Sequence, residues 1–482
     1  MFSTQKINNI NLNSLTSFVF ALFPLSLILG NFSINFNLVL FCCLGIFCLK
    51  SKIFSTKFNF PIKIIFLFFI VILISTIISF IKSLYLEGYD HNELNRLVKS
   101  ISFFRFFLML LIVYFLSEHN ILNFRYFLIS SSFFVVLISL DIIFQYIFGV
   151  NTIGLKYVDS RHYSGFFGKE LIAGAFIQNF SLYAVFVTSF LLRDKKIIRI
   201  LFTCIVLSIF GAAIIVSGNR MSAIMFIFAL VLTVILNRKF TGIILIGLFC
   251  FFLSFKLIIS TNQQMDFHFK HMYLNLKKEQ LHFSSSRINE SFFGNIKNLF
   301  LNKVGNSEDI ETESENEKIK IKKVKYVTND FIKLFLTAVD TWKFNKILGG
   351  GIKSFRVNCW KLTSSEYNLG QDNIPDKKNR LCSNHPHNYY FEILTETGII
   401  GIIIAILIGA LLLFFIVKKY KFFNKNSIES LFLLASTIAL FVTAFPVRST
   451  GSVFSTNNTI LLILFGSIIL SHKNLLIDKK IN

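Results

Sequence analysis

His387-Asn388 is followed by Tyr389-Tyr390-Phe391-Glu392-Ile393-Leu394-Thr395-Glu396-Thr397, and a long apolar run begins near Gly398. An imidazole can change charge near neutral pH. At the rim of a membrane span such a group reads as a working residue rather than packing material. His387 is therefore the candidate acid–base catalyst. Its neighbour Asn388 reads either as a helix N-cap or as a substrate contact. His385-Pro386-His387 could instead be half of a metal site, but zinc would want a third well-placed donor. Glu396 lies nine residues after His387, on the opposite face of a helix that starts at Asn388, so no metal is assigned.

Two arginines lie at the ends of apolar runs. Arg220 sits in Ser217-Gly218-Asn219-Arg220-Met221-Ser222, between two strongly apolar stretches. A guanidinium at that depth either snorkels to the interface or meets something negative. Because its fork matches phosphate oxygens two at a time, the functional reading is a phosphate clamp. Arg161 lies in Asp159-Ser160-Arg161-His162-Tyr163-Ser164-Gly165-Phe166-Phe167-Gly168-Lys169-Glu170. It reads as a second phosphate contact or as one half of a surface ion pair with Asp159. The glycine-lysine spacing of a nucleotide phosphate loop is absent from the sequence.

The elements that must position these groups are membrane spans. Of 482 residues, 54% are hydrophobic and 61 are phenylalanine, and the mean hydropathy is +0.64; a soluble protein would not tolerate that balance. Stretches near the roughly 20 residues needed to cross a bilayer recur along the chain. They fall at 15–32, 35–49, 60–81, 101–117, 126–149, 171–192, 198–217, 221–237, 240–259, 398–417, 427–446 and 459–471. The expected fold is all-α, a polytopic membrane protein of about twelve transmembrane helices. Residues 1–259 would carry spans one to nine, 260–397 a large non-cytoplasmic loop, and 398–482 spans ten to twelve with a cytoplasmic tail.

Charge sets the orientation. Lys50, Lys52 and Lys57, then Arg193, Lys195, Lys196 and Arg199, then Arg238 and Lys239 mark successive turns. Lys418, Lys419, Lys421 and Lys425 mark a fourth, and Lys473, Lys479 and Lys480 lie in the tail. All share one side if the spans alternate, so the positive-inside rule predicts that both termini are cytoplasmic. The net charge of +23 is thus distributed for a membrane rather than as a stripe with base-stacking aromatics, and no nucleic-acid partner is expected. The partner that composition does imply is the lipid bilayer.

Within the large loop, 306–318 is acidic and 318–325 basic, the mark of a solvated insert without chemistry. Residues 329–344 have helical apolar spacing (Phe331, Phe335, Ala338, Trp342), so an amphipathic helix should lie on the membrane surface. Leu348-Gly349-Gly350-Gly351 should end it. Of seven cysteines, Cys42, Cys43, Cys48, Cys204 and Cys250 lie in or beside apolar segments. Cys359 and Cys382 lie in the large loop, where an oxidising compartment would permit a bridge.

Several of these stretches together resemble the O-antigen ligase/polymerase superfamily of bacterial envelope proteins. His387-Asn388, nine residues, then Gly398-Ile399-Ile400-Gly401 is similar to its signature. Ser217-Gly218-Asn219-Arg220 resembles its Ser-Gly-x-Arg turn. Trp342 with Ile347-Leu348-Gly349-Gly350-Gly351-Ile352-Lys353-Ser354-Phe355 resembles the segment before the histidine. Phe445-Pro446-Val447-Arg448-Ser449-Thr450-Gly451 resembles the loop before the last span. The resemblance covers roughly residues 155–455 of the chain.

The resemblance implies a ligase-like glycosyltransferase of the bacterial inner membrane, serving lipopolysaccharide biosynthesis. It would move a glycan from undecaprenyl diphosphate to an acceptor hydroxyl, lipid A–core, at the periplasmic face. No cofactor is implied, since the lipid diphosphate is itself the leaving group. Arg220 and Arg161 would bind the donor phosphates, with Asn388 and Gly350 as further substrate contacts. The family often places another arginine near the tryptophan-containing helix; Arg287 and Arg356 both stand as candidates. A polymerase joining lipid-linked repeats and a protein O-oligosaccharyltransferase would carry the same signature. A secondary transporter would show two related halves and mid-membrane ionisable groups, which this sequence lacks.

Overall fold

In lipid, a spanning segment must satisfy every backbone N–H and C=O internally, so long apolar runs become helices. The computed structural model describes residues 4–55, 57–86, 91–157, 159–270, 330–363, 380–425 and 427–471. Among these, regular secondary structure is helical, with two isolated β-bridges, Val150–Lys156 and Asp159–His162. The helices are α1 (Thr4–Ala21), α2 (Phe23–Leu29), α3 (Asn31–Leu49), α4 (Phe60–Leu86), α5 (His91–Glu118) and α6 (Phe124–Phe148). Next come α7 (Ala173–Leu191), α8 (Lys196–Val216), α9 (Arg220–Leu236) and α10 (Thr241–Thr261). After the described part of the large loop follow α11 (Asp330–Trp342), α12 (Phe355–Thr363), α13 (Tyr389–Phe423), α14 (Ile428–Thr443) and α15 (Thr456–Leu470).

Eight of these helices are long and apolar enough to cross a bilayer. The bent pair α1–α2, 43° apart, makes nine if it is one span. Pro24, at the start of α2, has no N–H to continue the helical ladder, which accounts for the bend. α9, α14 and α15 are apolar but have 17, 16 and 15 residues. They fall short of the roughly 20 that cover a bilayer core, so helix length alone does not carry the count to twelve. Asparagine and serine side chains cap several starts: Asn219 accepts from Ser222 N, Ser427 from Ser430 N and Ser455 from Asn458 N.

Side-chain hydrogen bonds sort the helix ends into two faces. On one, Thr16 meets Cys48, Asn123 N donates to Ser17 Oγ, Ser117 to the Ser471 carbonyl, and Asn237 to the Phe423 carbonyl. The basic turns around Arg238 and Lys425 therefore lie together. On the other, Arg96 donates to the Ile352 carbonyl, Arg220 to the His268 carbonyl and Asn388 to the Pro446 carbonyl. Between the faces, Phe20, Phe124, Phe127, Phe180, Tyr183, Phe432 and Phe465 form a chain of ring contacts 5.2–6.5 Å apart.

α13 begins at Tyr389 with Asn388 as its cap, as expected, ahead of the apolar run at Gly398, so His387 stands directly at a helix start. It is also broken at Gly398, whose φ of 64° and ψ of −162° are not helical. Backbone outside the helix satisfies the groups that the break frees. Gly350 N and Gly351 N donate to the Thr395 and Glu396 carbonyls at 3.0 and 2.9 Å. Ile399 N and Ile400 N donate to the Lys346 and Ile347 carbonyls at 3.0 and 3.3 Å. Ser75 Oγ adds a 2.8 Å bond to the Glu396 carbonyl.

This docking corrects the role given to Leu348-Gly349-Gly350-Gly351. α11 ends earlier, at Trp342, whose indole N–H donates to the Lys346 carbonyl at 2.8 Å. The glycine run instead lies against the break. A Cβ on Gly349 would collide with the backbone of residues 396–398, and a Cβ on Gly398 with the Ile347 carbonyl.

Gly398→Ala and Gly349→Ala should each lower the thermal midpoint and the membrane level of the protein, since an alanine held at positive φ costs about 1–3 kcal/mol before any collision. Gly409→Ala, on the same helix with open space around its Cα, should leave both unchanged. Melting of the detergent-solubilised protein checks the pair; equal midpoints for all three would remove the docking account.

Candidate functional site

The segment before His387 is fastened at three points. Arg380 Nε lies 2.7 Å from Asp340 Oδ2 on α11, and Leu381 N donates to Thr337 Oγ1 at 3.2 Å. Cys359 of α12 and Cys382 form a disulfide, the bridge the sequence permits. Phe335 of α11 stacks on Phe391 of α13 at 4.7 Å. The amphipathic helix expected over 329–344 is thus present as α11, and it supports the histidine segment.

His387 itself adopts the left-handed region, φ 54°, rarely occupied by a side-chain-bearing residue. Its carbonyl accepts from Thr450 N at 2.9 Å, tying it to the 445–451 turn. Asn388 completes the corner. Its Oδ1 accepts from Tyr390 N and Phe391 N at 3.0 and 3.3 Å, and its Nδ2 donates to the Pro446 carbonyl at 2.6 Å. Those bonds make Asn388 the helix cap and explain its residue type without a substrate contact.

The His387 ring is half-buried, 4.2 Å from the His385 ring and 6.0 Å from Phe331. Burial holds its protonation below the ordinary imidazole range, against a backbone hydrogen bond with Thr450 that acts the other way. Burial, then His387 and Arg356, push His385 down to about 4. A neutral His387 at pH 7 retains the lone pair that a general base needs.

Around the histidines lie buried charges. Glu392 is 1% exposed; its carboxylate accepts from Ser452 Oγ at 2.5 Å and Val453 N at 2.7 Å, with Arg356 and Lys353 as its cationic neighbours. Glu396, also 1% exposed, has Arg96 and Arg356. Arg356 is therefore shared by His385 and both carboxylates. Of the two candidates for the further arginine, Arg356 lies in the His387 cluster, and Arg287 lies outside the described residues. Gly350, read as a substrate contact, has its N–H on Thr395 and its carbonyl on Arg96, so its peptide belongs to the fold. Among the described residues, no group of three or more His, Cys, Asp or Glu side chains converges as metal ligands would.

Arg220 and Arg161 form a second cluster on the same face. A Cβ on Gly218 would run into the Arg161 carbonyl, so the two motifs pack backbone to backbone. Arg220 Nη1 donates to the His268 carbonyl at 3.2 Å, and His268 Nε2 meets the Gly218 carbonyl at 3.0 Å. Burial, with Arg220, His162 and Arg161, keeps His268 below the usual imidazole value, although its bond to Gly218 opposes this. Asp159 pairs with Arg161 at 3.0 Å and with His162 at 2.9 Å. Burial alone would raise Asp159, but the bonds from Arg161 and His162 outweigh it and hold the acid at about 2. Arg161 thus makes the surface ion pair; it also lines a cavity of about 530 Å³ with Gln263, Gln264, Asp266, Phe267 and Lys270.

The contacts of Arg220 and those of His387 involve different residues, so the structure gives two clusters rather than one joined site. Sequence reasoning did not single out His268, Glu392, Arg96 or Arg448. Their partners are distant along the chain; Glu392 and Arg448 lay within stretches read for other reasons, and His268 and Arg96 lay outside them. No protein-family model matches this sequence, and no curated protein does.

The depressed histidines set a pH dependence. Each is protonated more readily in the unfolded chain than in the folded one. Stability is therefore complete above the unfolded value, roughly 6.5, and falls as pH drops from there toward about 4. Melting midpoints measured across that window should decline, and His385→Gln should flatten the decline. An unaltered pH profile in His385→Gln would show that this ring is not buried in its neutral form.

Proposed function

We propose that the protein is a ligase-like glycosyltransferase that uses a polyprenyl-diphosphate-linked glycan as donor. The observation that carries the reading is His387, half-buried, kept neutral and set at a helix start against the His385 ring, which in turn has Arg356 as its cationic neighbour. In the reaction the acceptor hydroxyl oxygen bonds to the anomeric carbon while that carbon's bond to the phosphate oxygen breaks. The hydroxyl proton passes to the His387 ring. Negative charge builds on the departing diphosphate, where fixed guanidinium groups stabilise it. Arg356 serves from the histidine cluster, and Arg220 and Arg161 face the donor from the other cluster on the same side.

The full reading is a twelve-span protein of the bacterial inner membrane, with both termini cytoplasmic and the histidine face periplasmic. Lipid A–core is the preferred acceptor, with a lipid-linked repeat (polymerase) or a protein hydroxyl as the alternatives. The two basic turns joined by Asn237 and Phe423, at the end of α13 opposite His387, support this orientation.

In a strain lacking the protein, gel analysis of lipopolysaccharide should show bare lipid A–core and long glycan stranded on undecaprenyl diphosphate. Single-repeat caps would instead identify a polymerase, and unchanged lipopolysaccharide a different acceptor. Restoring the strain with Arg220→Lys should recover little capping at a normal protein level, because a point charge does not reproduce bidentate phosphate contact. Full capping by Arg220→Lys would reduce Arg220 to a snorkelling residue.

A further inference from the structure

The 445–451 turn holds a cation with no carboxylate partner among the described residues. Arg448 is 8% exposed. Its Nη1 makes one long bond, 3.4 Å to the Val442 carbonyl, and its Nε has no partner among the described residues. The other buried charges nearby are matched: Glu392 by Arg356 and Lys353, Glu396 by Arg96 and Arg356. Arg448's electrostatic neighbour is the Tyr389 hydroxyl and not a carboxylate. Two residues on, Thr450 is 9% exposed with its Oγ1 unpartnered, while its N–H fastens His387. His385 Nε2 and Arg356 Nε are also buried without hydrogen-bond partners among the described residues.

Buried polar atoms nearly always find a hydrogen bond, so an exception needs an explanation. Here two of the four lie on the turn whose Thr450 N–H fastens His387 and two on His385 and its neighbour Arg356, and two of the four belong to guanidinium groups. A buried unpaired charge destabilises a fold strongly unless an opposite charge arrives. The arrangement is that of a site completed by an anion.

We propose that Arg448, with Thr450 beside it, binds a diphosphate group of the ligand next to His387. Taking that group to be the donor's diphosphate rests on the function proposed above; the anion site itself does not require it. Arg448 is then a substrate-binding residue supplied by the last interhelical turn. That turn joins the site through three contacts: Thr450 N on His387, Asn388 on Pro446, and Glu392 on Ser452 and Val453.

The test uses the full-length protein in phosphatidylcholine nanodiscs, with inorganic pyrophosphate and farnesyl diphosphate as probes. Both should raise the thermal midpoint. Binding of farnesyl diphosphate alone would assign the site to a lipid headgroup, and binding of both to the diphosphate itself; either supports the proposal. Arg448→Met should leave the probe-free midpoint equal or higher while weakening the Kd about 10- to 100-fold. A lower probe-free midpoint with an unchanged Kd would make Arg448 a structural residue and overturn the proposal, as would the absence of binding by either probe. If Arg448→Met does not fold, Arg448→Lys decides: a weaker Kd supports the guanidinium fork, and an unchanged one overturns it. Because no glycan transfer is read, a failed transfer assay would leave this result standing.

Discussion

A helix interrupted within an apolar segment frees carbonyls and N–H groups that lipid cannot satisfy. In α13 the break falls at Gly398, and the backbone of residues 346–351 takes up the freed groups on both sides of it. Gly349 and Gly398 make this approach feasible, because any side chain at either would occupy the other's backbone. The rest of the histidine face follows. The docked segment fixes where α11 ends and α12 begins, and those two helices hold residues 380–388 through an ion pair, a hydrogen bond and a disulfide. The first half of α13 then starts at Asn388, with His387 at the corner in a left-handed conformation sustained by Thr450.

Electrostatics complete what the backbone begins. Two carboxylates buried one turn apart, Glu392 and Glu396, would repel each other if alone; Arg356, Lys353 and Arg96 surround them. Glu392 also anchors Ser452 and Val453, so the last interhelical turn is held against the start of α13. The histidines above this network are half-buried, which favours the neutral ring in both, and Arg356 adds to the effect at His385. A neutral base next to fixed positive charge suits a reaction in which a hydroxyl loses a proton while a diphosphate departs.

The parts legible in the sequence were those set by local pattern. The apolar runs, the helical spacing of Phe331, Phe335 and Ala338, and the Asn388 cap depend on residues a few positions apart. So does the Asp159–Arg161 pair. The glycines at 349–351 and 398 were visible, but read locally the run marked a helix end. Its actual partner lies about fifty residues downstream, beyond any spacing rule. Arg96 reaches Ile352 across 256 positions, and Thr450 reaches His387 from another loop. The buried charge network escaped notice because only the fold brings its members together, although Arg356 and Glu396 had each been weighed alone.

Reconstituted turnover tests the central claim most directly. The purified protein in liposomes would receive a polyprenyl-diphosphate glycan and lipid A–core at pH 7, with no nucleotide added. The account predicts glycan-capped lipid A–core together with released polyprenyl diphosphate, and a rate about 10²- to 10⁴-fold lower for His387→Gln at equal protein. Absence of transfer to any of the three acceptor classes, or transfer undiminished by His387→Gln, would contradict it.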